Sequence, residues 1–238
     1  MAASFVEQLE TNSPGLKATR KAVGLRLPQG LHFSKSGLLL KRALDVAGAA
    51  FLLVLLSPLL AFLAVLIKLQ DGGPVIHRRR VVGRFGGGPR AEFDAFKLRS
   101  MRVNADEILQ KDPVLRREFE VNFKLKHDPR ITPLGAFLRK SSLDELPQLW
   151  NVLRGQMSLV GPRMVTPAEL IKFGDAAWIF SVVRPGLTGY WQIQGRQEVS
   201  YDQRVAMDVY YVQHWSLLLD LKILAMTPLR VIRGSGAY

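Results

Sequence analysis

Between Val46 and Ile67 the chain carries 22 consecutive residues without a charge, nearly all of them apolar. At ~1.5 Å rise per residue the run makes a helix of about 33 Å, close to the ~30 Å hydrocarbon core of a bilayer. It lies too far from the N-terminus for a cleaved signal peptide. Pro58 falls in its middle and removes a backbone donor, while Ser57 is placed to bond the carbonyl so freed. The two halves measure roughly 13–20 Å, so neither crosses a bilayer alone. Basic residues crowd both flanks: Lys17, Arg20, Lys21, Arg26, Lys35, Lys41 and Arg42 before, Lys68, Arg78, Arg79, Arg80, Arg84 and Arg90 after. Cationic flanks resist translocation. A helix that bends at Ser57-Pro58 and re-emerges where it entered keeps both clusters on one side. On these grounds alone an ordinary kinked span stays open. Asp45, four residues beyond Lys41, can pair with it in either topology.

The remaining pattern predicts a polar N-terminal arm (1–37), the membrane helix (38–70) and one compact domain (71–238) of α-rich α+β class. Gly72-Gly73-Pro74 and Gly86-Gly87-Gly88-Pro89 are turn signals, the triple glycine reading as a mobile turn. They bracket two short strands, Val75–His77 and Glu92–Leu98, suited to a hairpin. Residues 104–126 read as a helix with Ile108, Leu115, Phe119 and Phe123 on one face. Ser142 to Leu153 is a further helix, opening on the capping-box pattern Ser142-x-x-Glu145 although Pro147 favours a later start. Pro167–Phe173 and Tyr201–His214 follow. Trp215–Ile232 is apolar on a helical period, which suits a helix lying on the membrane surface and a buried core helix equally.

Composition narrows the chemistry. Thirty-three Lys and Arg against 20 Asp and Glu give a formal charge of +13, and the chain has no cysteine. Disulfide frameworks, thiolate metal sites and a cysteine nucleophile are thereby excluded. The basic balance admits nucleic acid, an anionic membrane or a phosphate-rich substrate. No phosphate loop, dinucleotide fingerprint or nucleophile elbow occurs, and the four histidines lack metal-ligand spacing.

What remains is a series of Arg and Lys residues beside Gly-Pro turns, with one adjacent carboxylate pair among them. In chain order these are Lys97-Leu-Arg99-Ser-Met, Arg139-Lys140-Ser-Ser-Leu-Asp144-Glu145-Leu-Pro-Gln148, Gly161-Pro-Arg163, Arg184-Pro-Gly186-Leu-Thr-Gly189 and Gln194-Gly-Arg196. Arginine forks bind phosphate oxygens, and Gly-Pro turns free backbone N–H groups for anions. A carboxylate among cations stays ionised and suits a nucleophile or a Mg²⁺ ligand. Taken singly, an Asp-Glu pair at a helix start is an ordinary N-terminal charge preference.

With Lys41-Arg42-x-x-Asp45 and Ser57-Pro58 ahead of them, these motifs resemble the bacterial sugar transferases, the polyprenyl-phosphate hexose-1-phosphate transferases or monotopic phosphoglycosyl transferases. The resemblance covers residues 38 to 238 and is closest to short, exopolysaccharide-initiating members. It implies transfer of a sugar 1-phosphate from a UDP-sugar to undecaprenyl phosphate with release of UMP, on the cytoplasmic face of the bacterial inner membrane. The family's re-entrant helix breaks at a Ser-Pro pair, which Ser57-Pro58 matches. Its catalytic dyad maps onto Asp144 and Glu145, with Asp144 as nucleophile in ping-pong kinetics and as a neighbour of Mg²⁺. Glu145 is left between metal assistance and proton transfer. Lys97, Arg139, Arg163 and Arg196 match its phosphate- or nucleotide-binding positions. Arg184 would lie in a turn beside the nucleotide or sugar. Arg99 and Lys140 are left to surface or headgroup contacts. Galactose or glucose is favoured as the sugar, lipid and downstream glycosyltransferases are compatible partners, and self-association is open.

Two departures stand out. Position 164 is Met where the family usually has Pro, and larger members carry membrane helices ahead of the catalytic region, so a short form is expected here. The competing reading is a membrane-anchored adaptor or nucleic-acid-binding protein without catalysis. It lacks a readable nucleic-acid motif, so nucleic acid is not expected as a partner. A sugar-only glycosyltransferase lacks its alternating strand–helix domain.

Overall fold

The computed structural model describes residues 33–84, 92–122, 125, 127–194 and 199–232. Residues 1–32, the triple glycine, Phe123 and Arg196 lie outside the described residues, and the end of the expected arm, from Lys35, already belongs to the helix that follows.

The apolar run sits in one helix, α1 (Lys35–Asp71). Ser34 caps it, its Oγ accepting from the Gly37 N–H at 3.0 Å. Gly72, at φ 70°, closes it in the left-handed conformation that glycine adopts without steric cost. The helix continues through Pro58. Pro58 cannot donate to the Val54 carbonyl, and the Ser57 hydroxyl does so instead at 2.8 Å. Phe51, Val54, Leu55, Phe62 and Val65 are exposed, leaving a broad apolar surface along its middle.

Both ends of α1 dock on the domain that follows. Lys41 donates to Asp220 at 2.7 Å and to the Val160 carbonyl at 3.1 Å. Asp45 accepts from Ser158 Oγ and the Leu159 N–H, and its oxygen lies 3.8 Å from Lys41. Ala49 enters the main core beside them. Toward the other end, Leu63 and Ile67 pack with Leu98 and Leu138 in a second cluster. Arg99 clamps Asp71 and donates to the Pro74 carbonyl. Arg99 is therefore a buried strut rather than a surface residue, because its fork matches the carboxylate at the helix end. Lys140 is exposed as expected.

Strands β1 (Ile76–Val82) and β2 (Glu92–Leu98) form the expected antiparallel hairpin, with β1 longer than the pattern suggested. Its register sets His77 opposite Lys97 and Arg79 opposite Ala95. The helix expected over 104–126 is two, α2 (Ala105–Lys111) and α3 (Pro113–Asn122). Pro113 cannot continue the first, and Asp112 Oδ1 accepts from the Val114 and Leu115 N–H groups to start the second. Next come α4 (Pro133–Lys140), a 3-10 turn (Leu143–Glu145) and α5 (Gln148–Leu153). The capping box expected at Ser142 does not form. Ser142 stands at φ 57° with no side-chain cap, and the chain reverses there before α5 begins.

Strand β3 (Ser158–Val160) pairs in parallel with β4 (Gly186–Thr188). A Cβ on Gly186 would stand 2.1 Å from the Gly161 nitrogen, so this pairing requires glycine. The Gly161 and Gly186 N–H groups go to the Thr188 and Pro162 carbonyls. They are thus spent inside the fold, and the anion-donor role expected of these turns is not theirs. The remaining elements are α6 (Pro167–Leu170), a 3-10 stretch (Ile171–Trp178), α7 (Ile179–Val182), α8 (Tyr190–Gln194), α9 (Tyr201–Gln213) and α10 (Leu217–Ile232). Helix α10 packs one face on the core and leaves the other open. Asp220 and Ile223 are buried, whereas Leu218, Leu221 and Leu229 are exposed.

Candidate active site

The Asp144-Glu145 pair occupies a turn fixed from three directions. Thr132 caps α4, its Oγ1 accepting from the Gly135 N–H at 2.9 Å. A Cβ at Gly135 would lie 1.9 Å from the Ser100 carbonyl oxygen, so α4 packs hard against the end of β2. That approach lets Arg139 Nε donate to Ser100 Oγ at 2.9 Å. Ser142 then turns the chain. It is the one non-glycine residue with positive φ among the described residues, in a conformation that costs an L-residue ~1–2 kcal/mol. Leu143 joins Leu138 against Leu63 and Ile67 of α1.

Beyond the turn, Asn151 holds α5 to the hairpin. It accepts from the Phe96 N–H and donates to the Asp94 carbonyl. Arg42 of α1 donates to the Val152 and Leu153 carbonyls at 2.7 and 2.9 Å, satisfying the last turn of α5. The α1 helix thus supports the segments on both sides of the dyad.

Lys97 faces the dyad from β2, its Nζ 2.6 Å from Glu145 Oε1. Burial pushes the Glu145 carboxyl up, but Lys97, Arg163 and Arg79 outweigh it and hold the group below its usual range. Asp144 is 6% exposed. Burial, with Glu145 beside it, raises its carboxyl to about 6 against the pull of Lys97 and Arg139. Among the described residues no side chain donates to or pairs with the Asp144 carboxylate. The two carboxylates therefore differ in kind. Glu145 is ionised and paired, while Asp144 is desolvated and available.

The structure brings Lys97, Arg139 and Arg163 into the electrostatic surroundings of this pair. It does not bring Arg184 there. That guanidinium donates to the Gly155 carbonyl, and its charged neighbours are Arg84, Arg42 and Asp45.

Residues that the motifs did not single out complete the cluster. Arg79 shares a face of the hairpin with Lys97 and pairs with Glu169 at 3.3 Å. Glu169 also closes a capping box with Thr166, a Thr-x-x-Glu signal legible in the sequence. Arg163 stacks over Trp191, and Arg204 lies over both Trp191 and Tyr201. Asp208, fully buried, receives the Arg163 N–H at 3.4 Å, and burial raises its carboxyl to about 7. Arg204 and Asp208 stand on one face of α9 at the spacing i, i+4, a pattern that marks a helix face but not its partner.

No cluster of three metal-ligating side chains occurs among the described residues. Mg²⁺ needs fewer, since it is commonly held by one or two carboxylates with substrate phosphates and water. The unpartnered Asp144 carboxylate, with Glu145 next to it, fits that donor set. Four cations around two carboxylates suit phosphate oxygens, and a desolvated carboxylate suits attack at phosphorus.

Comparison with known proteins agrees with this chemistry. Residues 36–234 match the bacterial sugar transferase profile. The chain is 49% identical over 204 residues to a UDP-galactose-lipid carrier transferase of Erwinia amylovora, covering 84% of this chain and 42% of that protein. It is 45% identical over 218 residues to an undecaprenyl-phosphate galactose phosphotransferase of Salmonella typhimurium, covering 90% and 44%. It is 46% identical over 202 residues to the exopolysaccharide production protein ExoY of Rhizobium meliloti, covering 83% and 88%. The chain thus spans less than half of the first two relatives and most of the third.

Proposed function

This chain belongs to the bacterial sugar transferase family, and from that premise we propose that it moves a hexose 1-phosphate from a UDP-sugar to undecaprenyl phosphate, releasing UMP. The observation that carries the reading is the division of labour in the dyad, a desolvated Asp144 that no described side chain bonds, beside a lysine-bound Glu145. An Asp144 oxygen attacks the sugar-bearing phosphorus, the bond to the bridging oxygen breaks, and UMP departs with that oxygen. The resulting acyl phosphate is then attacked at the same phosphorus by an oxygen of undecaprenyl phosphate, which returns the Asp144 carboxylate and completes a ping-pong cycle. Arg139, Arg163 and Lys97 lie on the equatorial oxygens, where fixed cations contribute most to phosphoryl transfer. Asp144, with Glu145 adjacent, would hold Mg²⁺, whose charge would neutralise the diphosphate.

The membrane reading follows from α1. Its polar anchors, Lys41 to Asp45 at one end and Asp71 at the other, are fixed in one aqueous domain. Asp71 lies 26 residues after Asp45, about 39 Å of straight helix. Anchors on one domain favour both ends on the same, cytoplasmic side of the inner membrane over a span between two sides. This supports a helix that enters one leaflet and returns, with Ser57-Pro58 at its deepest point.

Galactose in the names of the Erwinia and Salmonella relatives makes it the first choice of sugar, and a further relative, a UDP-glucose:undecaprenyl-phosphate glucose-1-phosphate transferase, makes glucose the second, as the opening membrane step of exopolysaccharide or related glycoconjugate assembly. The test is nucleotide release by the full chain in nanodiscs with Mg²⁺ and undecaprenyl phosphate. UDP-galactose, UDP-glucose and their N-acetyl counterparts are supplied in turn. UMP is the expected product. UDP would mean transfer of the sugar alone, and no turnover with any donor would favour the adaptor reading.

A further inference from the structure

Away from the dyad, a partly open cavity of about 70 Å³ lies where the start of α1 meets α7 and the loop before α10. That is room for roughly two waters or one phosphate group. Lys41, Arg42, Arg84 and Arg184 line it, and Asp45 is the one carboxylate among its walls. Lys41 and Arg42 are committed to Asp220 and to the end of α5. Arg84 and Arg184 are not so committed. Arg184 uses a single N–H, on the Gly155 carbonyl. Arg84 has no hydrogen-bond or ion-pair partner among the described residues, and its Nε is buried.

Arg84 and Arg184 are half-buried like charges in one cavity whose single carboxylate, Asp45, is already held by Ser158, the Leu159 N–H and Lys41, and their repulsion grows as water is excluded. A doubly or singly charged oxyanion in the cavity would replace it with bidentate contacts. The surroundings say what carries the anion. Val182 and Val183 form an apolar wall, and the Phe33 and Trp215 rings pack at 5.5 Å. Leu38 of α1 joins that wall and is itself exposed. A cationic cavity walled by valines, an exposed leucine and a tryptophan suits a headgroup whose acyl or prenyl chains continue along that apolar wall.

We propose that Arg84 and Arg184 form a second anion site, separate from the Asp144-Glu145 centre, which holds the phosphate of a lipid at the membrane surface. The ligand is a phosphate ester bearing an apolar chain, either an anionic phospholipid diester or a polyprenyl phosphate monoester. The lipid part rests on the membrane placement proposed above, which flotation of the protein on vesicles tests separately.

The experiment is thermal unfolding of the full chain in detergent, titrated with dihexanoyl phosphatidylglycerol, dihexanoyl phosphatidylcholine, farnesyl phosphate or inorganic phosphate. At about a hundredfold excess over Kd, a bound ligand raises Tm by roughly 5 °C or more in a chain of this size. The expected result is such a rise with phosphatidylglycerol, farnesyl phosphate or both, and little with phosphatidylcholine. Whichever gives it identifies the lipid class. Arg84→Gln, which removes a repelling charge, should melt no lower than wild type without ligand and should lose most of the rise. Arg184→Gln should weaken it likewise, and Arg84→Lys should keep part of it. An undiminished rise in Arg84→Gln and Arg184→Gln overturns the site. An equal response to phosphatidylcholine, or to inorganic phosphate alone, overturns the lipid-phosphate assignment.

Discussion

Replacing Asp144 by Asn should stop turnover and stabilise the protein at the same time. The carboxyl is raised from its ordinary 3.8 to about 6, chiefly by burial. At ~1.36 kcal/mol per pH unit, the ionised form costs the folded state about 3 kcal/mol at neutral pH. The direction follows from the folded value lying above the unfolded one. Protonation favours the folded state, so the full benefit is present below pH ~4 and is lost as pH rises through ~6. Asn has nearly the same shape without the charge. Asp144→Asn should therefore exceed wild type by up to about 3 kcal/mol at pH 7.5, roughly 6–12 °C in Tm for a chain of this length. The gap should close toward pH 4. Unfolding of detergent-held protein at both pH values, with UMP release measured on the same samples, gives the answer. An Asn variant no more stable than wild type at pH 7.5, or equally ahead at pH 4, would refute the claim that burial of this charge is what the site costs. Retained UMP release would remove Asp144 as the nucleophile.

Other outcomes follow from the same geometry. Lys97→Met removes the cation that opposes the rise at Asp144 and binds Glu145. The acid limb of the UMP-release profile should move to higher pH, with activity at pH 7 down on the order of tenfold or more. Ser142→Val places a β-branched residue at φ 57° and should lower stability by about 1–2 kcal/mol, whereas Ser142→Gly should stay within a few tenths, both read from unfolding curves. Pro58→Leu restores a donor for the Val54 carbonyl that Ser57 now satisfies. A straight span should then compete with the returning one, and labelling of the N-terminal arm should move from the cytoplasmic to the opposite face.

The elements that were legible in the sequence are those whose cause is local. The alternation over Glu92–Leu98 gives β2, and the serine–proline pair foretells the bond to the Val54 carbonyl. The Tyr201–Gln213 helix announces itself through Ser200 and Gln203, which form its capping box. What failed depended on steric or long-range facts. Pro113 splits a helix whose apolar face runs through it unbroken, because the face is set by packing and the break by one missing donor. The Ser142 pattern names a capping box, yet the dyad turn takes precedence there, held by leucines from α1 and α4. Arg79 was lost among three consecutive arginines. Only the strand's period of two, which puts it on the face that carries Lys97, separates the half-buried Arg79 from the exposed Arg78 and Arg80 on either side.

The dyad and the membrane helix are one mechanical unit. Leu63 and Ile67 press on Leu138 and Leu143, the residues that lead into Asp144. Twenty-one residues before Leu63 on the same helix, Arg42 closes the far end of the segment that leaves Glu145. Between these supports lies the stretch from Phe51 to Phe62, whose side chains are largely exposed. A helix gripped at both ends by the domain that holds the dyad cannot shift, in the one-leaflet placement proposed above, without loading the turn between them. Strain at Ser142 and desolvation at Asp144 are the local costs of that arrangement. Its consequence is that the Asp144 carboxylate keeps a fixed position relative to the apolar helix and, on the mechanism and placement proposed above, to a lipid-borne phosphate at the surface of the membrane.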